Sequence, residues 1–184
     1  MATAPAIPTL YKGAGPGTHW HVNDPRLSGF TVGAMANTAN RVIGHITNYS
    51  FPSAYLSFST SYAIARSYAL TGPVGVASSA GPGYVYEIDL SAIATAPALV
   101  NPISIISGAA SLAGAHEHNG AGTLIAEIAV GLPTPSLAHQ CGGLMLTPSV
   151  SAELRALIFA IRDAEVLISG SVLAGAVVNR HSVY

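Results

Sequence analysis

An α+β fold is predicted by three stretches of this sequence. Tyr84 to Leu90 alternates with period two, the pattern of a half-buried strand. Tyr55 to Leu70 changes period in mid-run, from alternation to helical spacing. Near the C-terminus, a short capped helix is followed by two β-like runs. Strands are therefore expected at both ends of the chain.

The 184 residues suit a single domain, 1–184, long enough to bury a core. Charged residues are only 8% of the chain against 50% hydrophobic, but the apolar residues are dispersed among Gly, Pro, Ser and Thr. No run approaches the 18 or so apolar residues of a membrane span, so a chain without a membrane partner is expected. Met1 to Pro8 has neither a basic start nor an apolar core, which points to a cytoplasmic protein or to export without a Sec signal peptide. Net charge is −1, with seven Lys plus Arg scattered along the chain, so no basic stripe is available to grip a phosphate backbone. The single cysteine, Cys141, excludes an intrachain disulfide and a cysteine zinc cluster.

In chain order, Thr9 to Lys12 reads as a short strand leaving through the loop Gly13 to Thr18, whose glycines permit close approach of a ligand to the backbone. That loop has neither Walker nor Rossmann spacing. His19-Trp20-His21 reads as extended; this histidine pair and His116-Glu117-His118 match no zinc spacing, and no metal is expected. Residues 31 to 50 read as irregular or partly helical. Tyr55 to Ser59 is a strand, and from Ser61 a helix carries Tyr62, Ala65, Tyr68 and Ala69 on one face, with Thr60 or Ser61 as its N-cap.

Thr71 to Gly83 is a loop by composition, and the strand Tyr84 to Leu90 turns Tyr84, Tyr86, Ile88 and Leu90 to one face. A helix is expected over part of Ile103 to Ala115, Thr123 to Val130 suits a helix or a strand, and Gly131 to Pro148 is broken by Pro and Gly. Ser151 caps a short helix through Leu157. The runs Ile161 to Ile168 and Val172 to Val178 read as strands joined through Ser169-Gly170-Ser171 as a hairpin.

Two features invite a chemical reading. The hydroxyl triplet Ser59-Thr60-Ser61 stands at a strand-to-helix corner, where short polar side chains can be held fixed beside a cleft. Asp163 and Glu165 lie two apart where a strand is expected to begin, so alternation places both carboxylates on one side.

With Leu10-Tyr11-Lys12-Gly13 on a first strand, these three pieces in this order resemble the mono-ADP-ribosyltransferase superfamily. The branch concerned has a first-strand arginine, a Ser-Thr-Ser triplet, and a late Glu preceded two positions earlier by Glu or Gln. Asp24-Pro25-Arg26 with Gly29-Phe30, the helix from Tyr62 and the strand from Tyr84 look like further elements of that family, so about half the chain is placed; residues 91 to 150 carry no match. Lys12 stands in place of the arginine, and an ammonium does not reproduce its planar fork. Asp163 is shorter than the residue usual at its position.

The resemblance implies a split β-sandwich of two crossing sheets with flanking helices, and NAD bound as substrate in the cleft between them. It implies Glu165, Asp163 and Ser59 as catalytic residues: Glu165 on the ribose 2′-hydroxyl, Ser59 holding Glu165, and Asp163 facing the nucleophile. Tyr11, Lys12, Gly13, Ser59, Thr60 and Glu165 would contact NAD, with Lys12 toward its phosphates and Thr60 shaping the corner. ADP-ribose would pass to a protein side chain or nucleic-acid base with release of nicotinamide, as in a bacterial toxin or effector. Such a toxin would require an immunity protein or antitoxin as partner. An NAD glycohydrolase on the same fold and a catalytically inactive binding domain are the alternatives.

Overall fold

The computed structural model describes residues 9–32, 39–48, 54–107 and 152–184. The chain is mixed α+β, built on a six-stranded antiparallel sheet beside a separate two-stranded one. In chain order the strands are β1 (Leu10–Ala14), β2 (Tyr55–Ser59), β3 (Thr71–Gly72), β4 (Gly75–Val76), β5 (Gly83–Ile88), β6 (Ala98–Val100), β7 (Glu165–Ser169) and β8 (Val177–Val183). The helices are α1 (His19–Val22), α2 (Pro25–Ser28), α3 (Ala39–Asn48), α4 (Tyr62–Ala69), α5 (Pro102–Ser107) and α6 (Ala152–Arg162). The main sheet runs β6-β7-β2-β1-β5-β8.

Its two halves are unequally joined. β1 pairs with β5 over five positions and β2 with β7 over five, but β1 and β2 meet through the single pair Tyr11 and Ser59. Beyond that pair the central ladder stops, leaving a seam down the middle of the sheet. The six strands form one hydrogen-bonded sheet with a weak central joint.

Alternation divides the side chains between two faces. Leu10, Ala14, Leu56, Phe58, Tyr86, Ile88 and Ile168 pack on one face with Phe30 and Val172. On the other, α3, α5 and α6 cover the β2-β7-β6 half through Val42, Ile46, Ile106, Ile158 and Leu167. The β1-β5 half of that face is covered by α4, through Ala65 and Ala69 against Val85 and Val183. That packing is close because the facing residues are small. A Cβ on Gly13 would run into the Ala65 carbonyl, and one on Gly83 into that of Ala69. The glycine loop after β1 therefore makes room for this protein's own helix.

The strand at Tyr55–Ser59 and the helix after it lie where the sequence places them, with the Ser61 hydroxyl accepting from Ile64 N–H as N-cap. Elsewhere the reading needs correction. His19 to His21 is a helical turn, with His21 Nε2 3.0 Å from the Pro82 carbonyl and its ring stacked on Tyr84. The expected strand from Ile161 begins only at Glu165, because α6 runs on to Arg162 and buries Ile158 and Ile161. The expected strand from Val172 breaks into a bridge to Phe30 and a 3-10 turn at Ala174–Ala176 before β8. The expected hairpin is absent: β7 and β8 lie three strands apart, separated by β2, β1 and β5. The expected loop after α4 contains the short β3–β4 pair. The readings made for His116, Glu117, His118, Thr123 to Val130, Gly131 to Pro148 and Cys141 lie outside the described residues. No helix among the described residues is long and apolar enough to cross a membrane.

Candidate active site

Three of the residues singled out from sequence lie in one row across three adjacent strands. Tyr11 on β1 stands opposite Ser59 on β2, and Ser59 stands opposite Glu165 on β7. The row crosses the sheet at the joint between β1 and β2, on the wall of a cavity of about 480 Å³ that also takes in Lys12, Gly13, Ser57, Tyr68 and Asp163. Trp20, Val32, Ile46, Leu56 and Phe159 contribute apolar wall. A few polar groups converging in a mostly apolar cavity of this size are what a small-molecule site requires.

Asp163 and Glu165 line the same cavity, though not by strand alternation. Asp163 is in the turn after α6, Glu165 opens β7, and Ala164 between them is held at φ +46°. This left-handed backbone is costly for a residue with a Cβ. The corner is held through Ala164, whose carbonyl accepts from Thr60 N–H at 3.1 Å and whose N–H donates to Ile161. Thr60 is exposed and outside the cavity wall, so its place is in the corner.

Both Asp163 oxygens are engaged. Arg162 donates from Nε to Oδ1 at 2.7 Å and from Nη2 to Oδ2 at 2.8 Å, and the Tyr68 hydroxyl donates to Oδ2 at 2.7 Å. The Ser59 hydroxyl donates to the Asp163 carbonyl at 2.7 Å and accepts from Ser61 N–H at 3.0 Å. A serine has one proton to give, so Ser59 ties the corner together rather than gripping the Glu165 carboxylate beside it.

Lys12 alternates to the opposite face from Tyr11, and its ammonium sits at the seam. There Nζ donates to the Ser57 carbonyl at 2.8 Å and lies 5.9 Å from the centre of the Phe58 ring. The lysine side chain thus supplies a donor where the backbone ladder has ended. Burial lowers the Lys12 pKa, against the attraction of Glu165. Burial likewise raises Glu165; Ser57 hydrogen bonding opposes that, Asp163 adds to it, and Lys12 and Arg162 oppose it. His45 on α3 is pushed down to about 4, chiefly by burial and then by the Lys12 charge, and its Nε2 lies 2.7 Å from Ser57 Oγ.

Ser57, His45 and Arg162 were given no role from sequence, and Tyr68 only, with Tyr62, as an alternative aromatic for a His-Tyr-Glu branch of the same family. A signal existed for Ser57, since it shares the face of Ser59 two positions away. The other three come from separate helices and only the fold assembles them. Among the described residues no group of three or more His, Cys, Asp or Glu side chains is placed to hold a metal. No protein-family model, curated protein or solved structure matches the chain.

Proposed function

We propose that the chain is an NAD-dependent mono-ADP-ribosyltransferase, of the kind found as toxin or effector domains, which passes ADP-ribose to a protein side chain or nucleic-acid base. The observation that carries this reading is the row Tyr11–Ser59–Glu165 beside the cavity. It brings together in space the three motifs that resemble that superfamily. The seam between β1 and β2 supports the finer reading of a split β-sandwich with the substrate cleft between its halves.

The chemistry asks for what this site contains. When the bond between nicotinamide and C1′ breaks, nicotinamide leaves with the bonding electrons and positive charge spreads over C1′ and the ring oxygen. An ionised carboxylate beside the ribose stabilises that charge. Glu165 takes this role, and Lys12 and Arg162 favour its ionised form despite its burial. The acceptor then attacks C1′ and loses a proton as the new bond forms. Asp163, at the same cavity, orients the acceptor or takes that proton. Lys12 acts from the seam on Glu165 and Ser57; with Nζ held there, contact with the NAD phosphates would require it to leave Ser57.

A second reading, NAD glycohydrolase, draws on the engagement of Asp163 by Arg162 and Tyr68. Water as acceptor makes less demand on an orienting carboxylate.

The test is nicotinamide release from NAD by purified protein, with and without cell lysate, beside Glu165→Gln. Transfer predicts lysate-stimulated release that falls at least ~100-fold in Glu165→Gln. Release independent of lysate selects the glycohydrolase. A folded wild-type protein that releases no nicotinamide under either condition rules out both and leaves the inactive binding domain.

A further inference from the structure

We infer that Ser57, oriented by His45, is the residue that positions the Glu165 carboxyl group. This rests on the reading above for the importance of Glu165; the place of Ser57 beside it rests on the strand register and on the His45 contact. In the β2–β7 ladder Ser59 is directly opposite Glu165, and Ser57 is opposite Leu167. Ser57 and Glu165 are therefore diagonal neighbours on one face, within side-chain reach. Ser59 has given its proton to the Asp163 carbonyl, so Ser57 is the hydroxyl on this face left for Glu165, and its hydrogen bonding acts to lower the Glu165 pKa against burial.

Proton counting sets the direction of the chain. A carboxylate only accepts, so the Ser57 O–H donates to Glu165. Its oxygen is then left to accept from His45 Nε2, 2.7 Å away. His45 is neutral near pH 7, so it carries one N–H, and this chain requires it on Nε2. The Ser57 backbone is fixed as well, because its carbonyl takes the Lys12 ammonium. Ser57 thus has its main chain tied to β1, its hydroxyl oxygen to α3, and its proton on β7. Two elements far apart in sequence set the angle of one carboxyl group.

The charged groups acting on that carboxyl group are Lys12 from β1, and Asp163 and Arg162 from the end of α6. None of them is altered by a change at Ser57. Substitution there therefore isolates the hydrogen bond, which favours the ionised form.

The experiment is a carbon-13 NMR titration of side-chain carboxyls in glutamate-labelled full-length protein, with Glu165 assigned through Glu165→Gln. Ser57→Ala is expected to raise the Glu165 midpoint by about half to one pH unit. The acid limb of kcat/KM for nicotinamide release should move upward with it, with kcat reduced more than KM rises. His45→Leu should shift the midpoint in the same direction, and His45→Gln, which keeps an N–H donor, should restore it. An unmoved midpoint in folded Ser57→Ala, or a midpoint that His45→Gln does not restore, overturns the inference. If the wild-type protein releases no nicotinamide, the enzyme reading fails, and the titration still decides whether Ser57 holds Glu165.

Discussion

Lys12 Nζ donates to the carbonyl of Ser57 at 2.8 Å, just past the Tyr11–Ser59 pair where the ladder between β1 and β2 ends. A side chain thus spans a gap between two strands that their backbones do not close. The cost is an ammonium withdrawn from water, offset in part by Glu165.

That cost has a pH signature. The Lys12 pKa is lower in the folded protein than the ordinary 10.5, so between the two values the unfolded chain binds more protons. Stability attributable to Lys12 therefore rises with pH across that window and is least below it. Urea unfolding from pH 7 to 10.5 should show wild-type stability gaining on Lys12→Met as pH rises. A constant difference would mean that the ammonium is not desolvated.

How far the sequence led can be judged at particular residues. Period two identified β2 and most of β5 because one face of each is buried, and Ser61 marked the start of α4 through its capping chemistry. Ile161 was misread because Ala156 to Ile161 is almost continuously apolar, and periodicity does not separate a buried helix from a buried strand in such a run. Val172 was misread because neighbouring apolar residues serve different partners: Val172 pairs with Phe30, Leu173 is exposed, and Ala176 is core. At the site, Glu165, Asp163 and Ser59 were singled out by order and spacing, but the two carboxylates reach one cavity through the left-handed turn at Ala164 and not by strand alternation. His45 and Tyr68 were not singled out in this way, because their roles come from long-range contacts with Ser57 and Asp163.

The glycines facing α4 predict a contrast. A side chain on Gly13 meets the Ala65 backbone, which cannot move without displacing the helix, so Gly13→Ala should destabilise by about 1–3 kcal/mol. Gly44, inside α3, has open space where a Cβ would go, and Gly44→Ala should stabilise by about 0.5–1 kcal/mol. Urea midpoints of the two variants, moving in opposite directions, are the check.

Ser59→Ala should behave as a structural lesion at the corner. It leaves the Asp163 carbonyl and Ser61 N–H without the hydroxyl partner they share, for an expected loss of about 1–3 kcal/mol. Chemical denaturation measures that loss. A variant as stable as wild type would show that water replaces the hydroxyl at no cost.

Ala164 offers the reverse case. At φ +46° its Cβ is a liability that glycine removes, while glycine itself loses more entropy on folding. Ala164→Gly should therefore be neutral or stabilising by up to about 1 kcal/mol in denaturant. Its added freedom lies between Asp163 and Glu165, so nicotinamide release should fall even as the fold is maintained. A loss of stability instead would mean that the alanine methyl makes contacts worth more than the strain.

His45 titrates at about 4 in the folded protein against 6.5 when unperturbed, because charging it would place an imidazolium in a buried site near the Lys12 ammonium. Between those values the unfolded chain takes up a proton that the folded chain refuses, so stability is complete above about 6.5 and is lost as pH falls toward 4. The full separation corresponds to about 3 kcal/mol, reduced to roughly 2 kcal/mol by partial exposure of the ring. Other groups also titrate in this range, so the useful quantity is the difference between wild type and His45→Gln, measured by urea unfolding at pH 7.5 and pH 4. Glutamine cannot charge, and the variant should be spared that part of the acid loss. Equal losses in both proteins would show that His45 is protonated in the folded state as readily as in the unfolded one.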